Sequence, residues 1–221
     1  MSDGKSEDVI DVYWSFRSPY SYLATGRLRA LAKRWPLTVR PRVVYPIAIR
    51  TPEFFREAKP QWAPYLLHDI TRVAASLGVT LTWPNPDPVV QDFETQAISD
   101  EQPHIHRLSR LGVLAAEEDP AKGLAFLDEA STLIWSGEPW LEDGGLADAA
   151  SRAGLDLAAM DARAEAEADR LTAQIETHQS ELGRHHWGVP TMVFRDEPFY
   201  GQDRIALLEW RLEQVGLRPV A

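Results

Sequence analysis

The chain has no cysteine. That absence excludes disulfides, thiolate zinc sites and a thiol nucleophile of the chain's own. It leaves open chemistry on a thiol brought in from outside. Positive charge is also scarce: 23 Lys and Arg stand against 33 Asp and Glu, a formal net charge of −10. A nucleic-acid partner usually demands a basic face, so that class is set aside; an acidic surface otherwise serves mainly solubility. Long apolar runs are missing too. No stretch approaches the roughly 20 residues that span a bilayer as a helix. Met1 to Asp8 is polar and acidic, without the apolar core of a signal peptide. The expectation is a cytoplasmic protein with no membrane partner. No G-x-S-x-G, P-loop or dinucleotide fingerprint occurs.

What is present is a globular composition. The 221 residues are 44% apolar and 25% charged, enough for one large domain or a domain carrying an insertion. Eight tryptophans is a high count, and large aromatics favour pockets and interfaces as well as cores.

The first informative stretch is "WSFRSPYSYLA", residues 14–24. Before it, Val9 to Phe16 is rich in β-branched and aromatic residues and reads as a buried strand. Ser18 then Pro19 is a good N-cap followed by a good first helical residue. Leu23, Leu28, Leu31 and Ala32 follow at helical spacing. The break is therefore a strand-to-helix turn with one hydroxyl at the helix mouth. A second strand is expected over about 37–44, which completes a βαβ unit with parallel strands.

From about 50 to 182 the signal is helical. Helices are predicted near 60–77, 101–117, 120–136, 144–153 and 156–181, the last rich in Ala, Glu and Arg. "WPNPDPVV", residues 83–90, has alternate prolines and must be an extended loop. The character changes again at residues 185–217. Thr191 to Phe194 reads as a strand, Arg195 to Pro198 as a turn, and Phe199-Tyr200 as the start of a second strand. Asp203 reads as the cap of a last helix.

Gly188-Val189-Pro190-Thr191 stands just before that strand. Val189-Pro190 is a candidate cis peptide, which would expose the Val189 backbone groups to an extended ligand; a trans proline opening an edge strand is the alternative. The two motifs "SFRSPYSYLA" and "GVPTMVFRDEPFYGQDRIALLE" resemble those of the 2-hydroxychromene-2-carboxylate isomerases and the related kappa-class glutathione transferases. They lie about 170 residues apart. Tyr65-Leu66-Leu67-His68-Asp69 resembles a further family segment. The resemblance implies an α/β fold: a thioredoxin-like (DsbA-type) domain from 1–50 and 183–221, with a large all-helical insertion, 51–182.

It also implies glutathione as cofactor. Ser18 would hold its sulfur, Val189 beside Pro190 its cysteinyl backbone, and Gln202 and Asp203 its γ-glutamyl end. Physical chemistry agrees for Ser18, because a helix N-terminus favours an anion and lowers the pKa of a thiol bound there. The implied activity is glutathione-dependent cis–trans isomerisation of a small aromatic substrate in aromatic-compound catabolism, by a homodimer. A kappa-like glutathione transferase or peroxidase, and a non-catalytic binding protein, are the alternatives. Disulfide exchange is excluded by the missing cysteines. The chain departs from the family in one place: the usual insertion Asn is absent, Trp62 takes the position of the usual Lys, and Lys59 is the nearest lysine.

Blander readings stand beside these. Ser18 and Asp203 are also competent helix caps. His104 and His106, or His185 and His186, have poor spacing for chelation on a regular element, and no metal is expected. His178 and His185 are expected at a pocket wall or on the surface. Asp161, Glu165, Glu167 and Asp169 read as a solvated helix face. Trp83, Trp135 and Trp140 read as core or pocket lining.

Overall fold

In the computed structural model, which describes residues 8–220 except 93, 96 and 143, the apolar strand β1 (Val9–Trp14) lies inside a sheet of order β2-β1-β3-β4. Strand β2 (Thr38–Val43) runs parallel to β1 across helix α1 (Pro19–Arg34), as the βαβ reading requires. Strands β3 (Thr191–Phe194) and β4 (Glu197–Tyr200) add antiparallel. The fold is DsbA-like thioredoxin. Both edge strands carry a proline, Pro41 and Pro198. A proline is tolerated at an edge and its missing N–H blunts further pairing.

β2 alternates as its sequence does. Val39, Pro41 and Val43 are buried, while Arg40 and Arg42 face the other way and converge on Asp11 of β1 at 2.6 and 2.7 Å. Those two guanidiniums outweigh the burial of Asp11 and hold its carboxyl below the usual range.

Between β2 and β3 the named elements are all helices. Short helices α2 (Ile47–Arg50) and α3 (Phe54–Glu57) lead into α4 (Trp62–Leu77). Helices α5 (Pro103–Glu118) and α6 (Pro120–Trp135) form an antiparallel pair that packs on α1 and β2. α7 (Gly145–Arg152), α8 (Leu157–Ala166) and α9 (Ala168–Gly183) close the segment, and α10 (Ile205–Gln214) ends the regular structure. One core cluster runs through Ile10, Trp14 and Phe16 of the first segment, Leu111 and Phe126 of the helices, and Met192 and Leu208. Among the described residues no helix is long and apolar enough to cross a membrane. The Met1–Glu7 part of the polar leader lies outside the described residues.

Several expectations change. The helix expected over 156–181 is two, α8 and α9, because Glu167 leaves helical geometry and takes Arg163 and Arg170 on its carboxylate from either side. Asp161 is a paired carboxylate at a partly exposed position; both its oxygens accept from Arg107 of α5 at 2.7 Å. The hairpin turn is only Arg195-Asp196, both at positive φ, the two-residue geometry that matches strand twist. Glu197 and Pro198 already belong to β4. Asp203 caps nothing: it sits in a one-turn 3-10 segment, Gln202–Arg204, and α10 begins without a side-chain cap.

His178 is neither pocket wall nor surface. It is a buried link between α9 and β2. Its Nδ1 hydrogen bonds the Val43 carbonyl at 3.0 Å, and Nε2 faces Gln174 and Arg42. That pattern fits a neutral ring protonated on Nδ1. Burial, helped by Arg42, lowers its pKa. A depressed histidine contributes stability above its unfolded pKa, about 6.5, and loses it as pH falls toward the folded value. Unfolding free energy should therefore drop as pH falls below about 6.5, and His178→Gln should flatten part of that slope. His106 and His186, also lowered by burial, would keep the remainder. Equal slopes in urea titrations of the two proteins would contradict this assignment.

The α5–α6 contact yields a second expectation. A Cβ on Gly123 would meet the Ala116 backbone at 2.6 Å. Overpacking against backbone costs about 1–3 kcal/mol, which outweighs the about 1 kcal/mol alanine gains in helix propensity. Gly123→Ala should lower the urea midpoint without changing the m-value.

Candidate active site

Ser18 stands where β1 gives way to α1. Its Oγ accepts from Ser21 N at 3.2 Å, so it is the N-cap. The same hydroxyl donates to the Val189 carbonyl at 3.4 Å. That bond is long, and a better acceptor could displace it. Two indoles fix the turn around it. Trp135 Nε1 donates to the Phe16 carbonyl at 3.1 Å, and Trp14 Nε1 donates to Thr25 Oγ1 at 2.9 Å and Ser21 O at 3.1 Å. Ser15 Oγ is buried beside them and has no partner among the described residues.

Ser15, Ser18 and Val189 line a cavity of about 550 Å³. Its wall is aromatic: Tyr20, Phe54, Phe55, Trp62, Trp83, Trp187 and Tyr200. The rings brace one another. Phe54 touches Phe55, Trp62 and Trp187 with centroids 5.3–5.5 Å apart. His186 stacks on Tyr200 at 3.7 Å and accepts from Gly188 N at 2.9 Å.

Two guanidiniums reach this wall. Arg17 is buried and makes a two-pronged pair with Asp87, Nε at 3.1 Å and Nη2 at 2.9 Å. It also lies over the Trp83 ring at 5.3 Å. Asp87 comes from the proline loop, which is pinned in turn by Trp140 Nε1 on the Pro86 carbonyl at 2.9 Å. Arg50, at the end of α2, donates Nε to Tyr45 O at 2.7 Å and Nη1 to Trp187 O at 3.2 Å.

Of the residues singled out in the sequence, Ser18 and Val189 meet. The Val189-Pro190 bond is cis. Pro190 is one step behind the cavity; its carbonyl accepts from Gly201 N at 2.9 Å, which brings residues 201–203 alongside the Gly188–Pro190 turn. Gln202 and Asp203 do not line the cavity. Both Gln202 oxygens accept from Arg27 at 2.8–2.9 Å, and Asp203 lies exposed by Arg204. Trp62 is in the wall and Lys59 is not. Tyr65 and Leu67 reach the rim, and Asp69 behind them accepts from Tyr20 at 2.7 Å. Trp83 lines the cavity, whereas Trp135 and Trp140 are core. Sequence reasoning missed Arg17, Asp87 and Arg50. The only signal for the two arginines was a basic residue inside a largely apolar run, "SFRSP" and "IAIRTP"; Asp87 lay in the proline loop with nothing to mark it.

The site thus combines a helix N-terminus with a hydroxyl, an accessible strand-end carbonyl and a large aromatic chamber. It can bind an anion or polarised sulfur at Ser18 beside a planar apolar body. The family model of the DSBA-like thioredoxin domain matches residues 9–213. A 2-hydroxychromene-2-carboxylate isomerase of Pseudomonas putida is 28% identical over 209 residues, covering 91% of this chain and 92% of that protein. A solved 2-hydroxychromene-2-carboxylate isomerase superposes with a TM-score of 0.69 at 23% identity, over 94% of this chain and 95% of that one. The cytosolic disulfide reductase DsbM of Pseudomonas aeruginosa, solved with GSH, gives 0.55 at 18% identity, over 93% and 99%.

The Arg17–Asp87 pair has a measurable consequence. Removing one partner of a buried pair leaves a bare charge and costs about 3–5 kcal/mol. Asp87→Asn should lose stability in that range in urea unfolding, and the double variant Arg17→Met with Asp87→Leu should recover most of it. A single-variant loss below about 1 kcal/mol, the value for exposed pairs, would show that the pair is solvated.

Proposed function

The chain belongs to the DSBA-like thioredoxin domain family, and from that premise we propose that it is a glutathione-dependent cis–trans isomerase of a small aromatic compound, similar to 2-hydroxychromene-2-carboxylate isomerase. The observation that carries this reading is Ser18: a capping hydroxyl at a helix mouth, on the wall of an aromatic cavity, in a chain with no cysteine. Its likeness along most of the chain to a named isomerase supports the reaction type. A neighbour of the same fold solved with GSH supports the cofactor.

The residues present fit a thiol tripeptide. Ser15 Oγ is a buried polar atom without a partner among the described residues, and the Ser18 hydroxyl spends its proton on a long, exchangeable bond. Ser18 and the first turn of α1 would hold the sulfur, and the Val189 backbone the peptide. When bound, glutathione supplies a thiolate capable of reversible addition to a conjugated carbonyl compound, which frees a double bond to rotate. The chain's own part is positioning and electrostatics. Ser18 donates toward the sulfur. The α1 N-terminus favours its anionic form and lowers its pKa from about 8.5. Phe54, Trp62 and Trp187 hold an aromatic body and exclude water. Gln202 and Asp203 would take the γ-glutamyl end only if Gln202 exchanges its bonds to Arg27.

Calorimetric titration with reduced glutathione in buffers of different ionisation enthalpy tests this. Proton release on binding should accompany the wild type and shrink in Ser18→Ala. Isomerisation of hydroxychromene carboxylates should fall about 100-fold, the cost of losing one well-placed donor. Unchanged turnover and unchanged proton release in Ser18→Ala would remove Ser18 from the mechanism. Conjugation of an electrophilic test compound without isomerisation would indicate a transferase instead.

A further inference from the structure

We propose that Arg50 is the anion anchor of the aromatic cavity and that the group it holds is a ligand carboxylate. The inference rests on the reading of this cavity as the reaction site, but not on glutathione being used there.

The two guanidiniums at the wall are in opposite states. Arg17 is neutralised by Asp87. Among the described residues Arg50 is held only by two backbone carbonyls, of Tyr45 and Trp187. Carbonyls orient a guanidinium but do not cancel its charge. Its Nη2 is buried without a partner among the described residues. Burial alone acts on Arg50, pushing it down to about 10, with no carboxylate to draw it back up. No Asp or Glu is among the described residues that line the cavity. A buried cation without a counter-ion is costly, and a ligand anion removes that cost.

The free donors define the anion. With Nε and one Nη1 proton committed, the other Nη1 proton and those of Nη2 are the donors left for an anion, and a carboxylate has two oxygens to take them. Phe54, Trp62 and Trp187 line the same cavity as Arg50. The carboxylate therefore hangs from a flat apolar body, or ends a peptide lying along the cavity. The first source is an aromatic acid substrate; the second is the glycyl end of glutathione.

The experiment compares each acid with its neutral amide, by quenching of the cavity tryptophans. Naphthoate against naphthamide, without glutathione, probes the aromatic source. Glutathione against its glycyl amide probes the peptide source. In the unaltered protein at least one acid should bind about ten- to a hundredfold tighter than its amide, the range of a hydrogen bond to a charged group. The pair that shows it identifies the source. Arg50→Gln should erase that preference and leave amide binding in place; Arg50→Lys should keep part of it. Should Arg50→Gln fail to fold, Arg50→Lys decides: an acid preference reduced from that of the unaltered protein supports the anchor, and an unchanged one overturns it. Equal binding of acid and amide in both pairs, no binding of either acid, or a preference that survives Arg50→Gln overturns the proposal. A naphthoate preference with no response to glutathione would sink the isomerase reading and leave Arg50 as the anchor.

Discussion

The hydrogen bond from the Trp135 indole to the Phe16 carbonyl decides where Ser18 points. β1 ends at Trp14 and α1 begins at Pro19, so the chain must leave the sheet and enter a helix within four residues. A buried carbonyl in such a turn has no ladder partner and costs about 1–3 kcal/mol if left bare. Trp135, the last residue of α6, supplies the donor at 3.1 Å. Trp14 ties the other end of the turn into α1 through Thr25 and Ser21. Ser18 is thus oriented from the helical segment on one side. Val189, from the C-terminal strand region, meets it on the other. Neither half of the chain builds the helix mouth alone, and the continuous core through Phe16, Phe126 and Met192 is the packing expression of that fact.

Charge within the cavity follows a simple division. Arg17 and Asp87 cancel and serve to pin the proline loop against the turn. Arg50 is not cancelled, and the N-terminus of α1 adds partial positive charge nearby. A chain with a net charge of −10 therefore presents a locally positive, apolar-walled chamber. Low-dielectric walls strengthen such a field. On the proposed reading the cavity draws small anions although the chain as a whole is acidic.

Local features were legible in the sequence because they depend on neighbouring residues. The β1–α1–β2 unit, the Ser18 cap and the antiparallel hairpin follow from patterns a few residues long. The fold class followed from two motifs at the ends of the chain. Legibility failed where partners come from afar. Arg17 meets Asp87 across 70 residues of sequence, and His178 meets Val43 across 135. No periodicity announces such pairs. α2 and α3 are four residues each, shorter than the period needed to recognise them. The split at Glu167 escaped because Ala, Glu and Arg favour helix on both sides, and only the competition of Arg163 and Arg170 for one carboxylate marks the break. Pro198 suggested a turn, yet an edge strand has no use for its missing N–H.

Thiol–disulfide exchange proceeds by a thiolate attacking a disulfide sulfur through a mixed disulfide. This DSBA-like chain has no sulfur able to take part. Its serine hydroxyl can donate to a thiolate but can form no bond to it. A helix N-terminus and a strand-end carbonyl can only hold an external thiol and change its charge. A thiol bound at Ser18 is therefore never joined covalently to the chain, and an addition that reverses returns it as the thiol that entered. Isomerisation has that form, because its covalent step is undone within the same turnover and nothing is oxidised or reduced. The large aromatic chamber beside Ser18 is where the partner of such an addition has room to rotate.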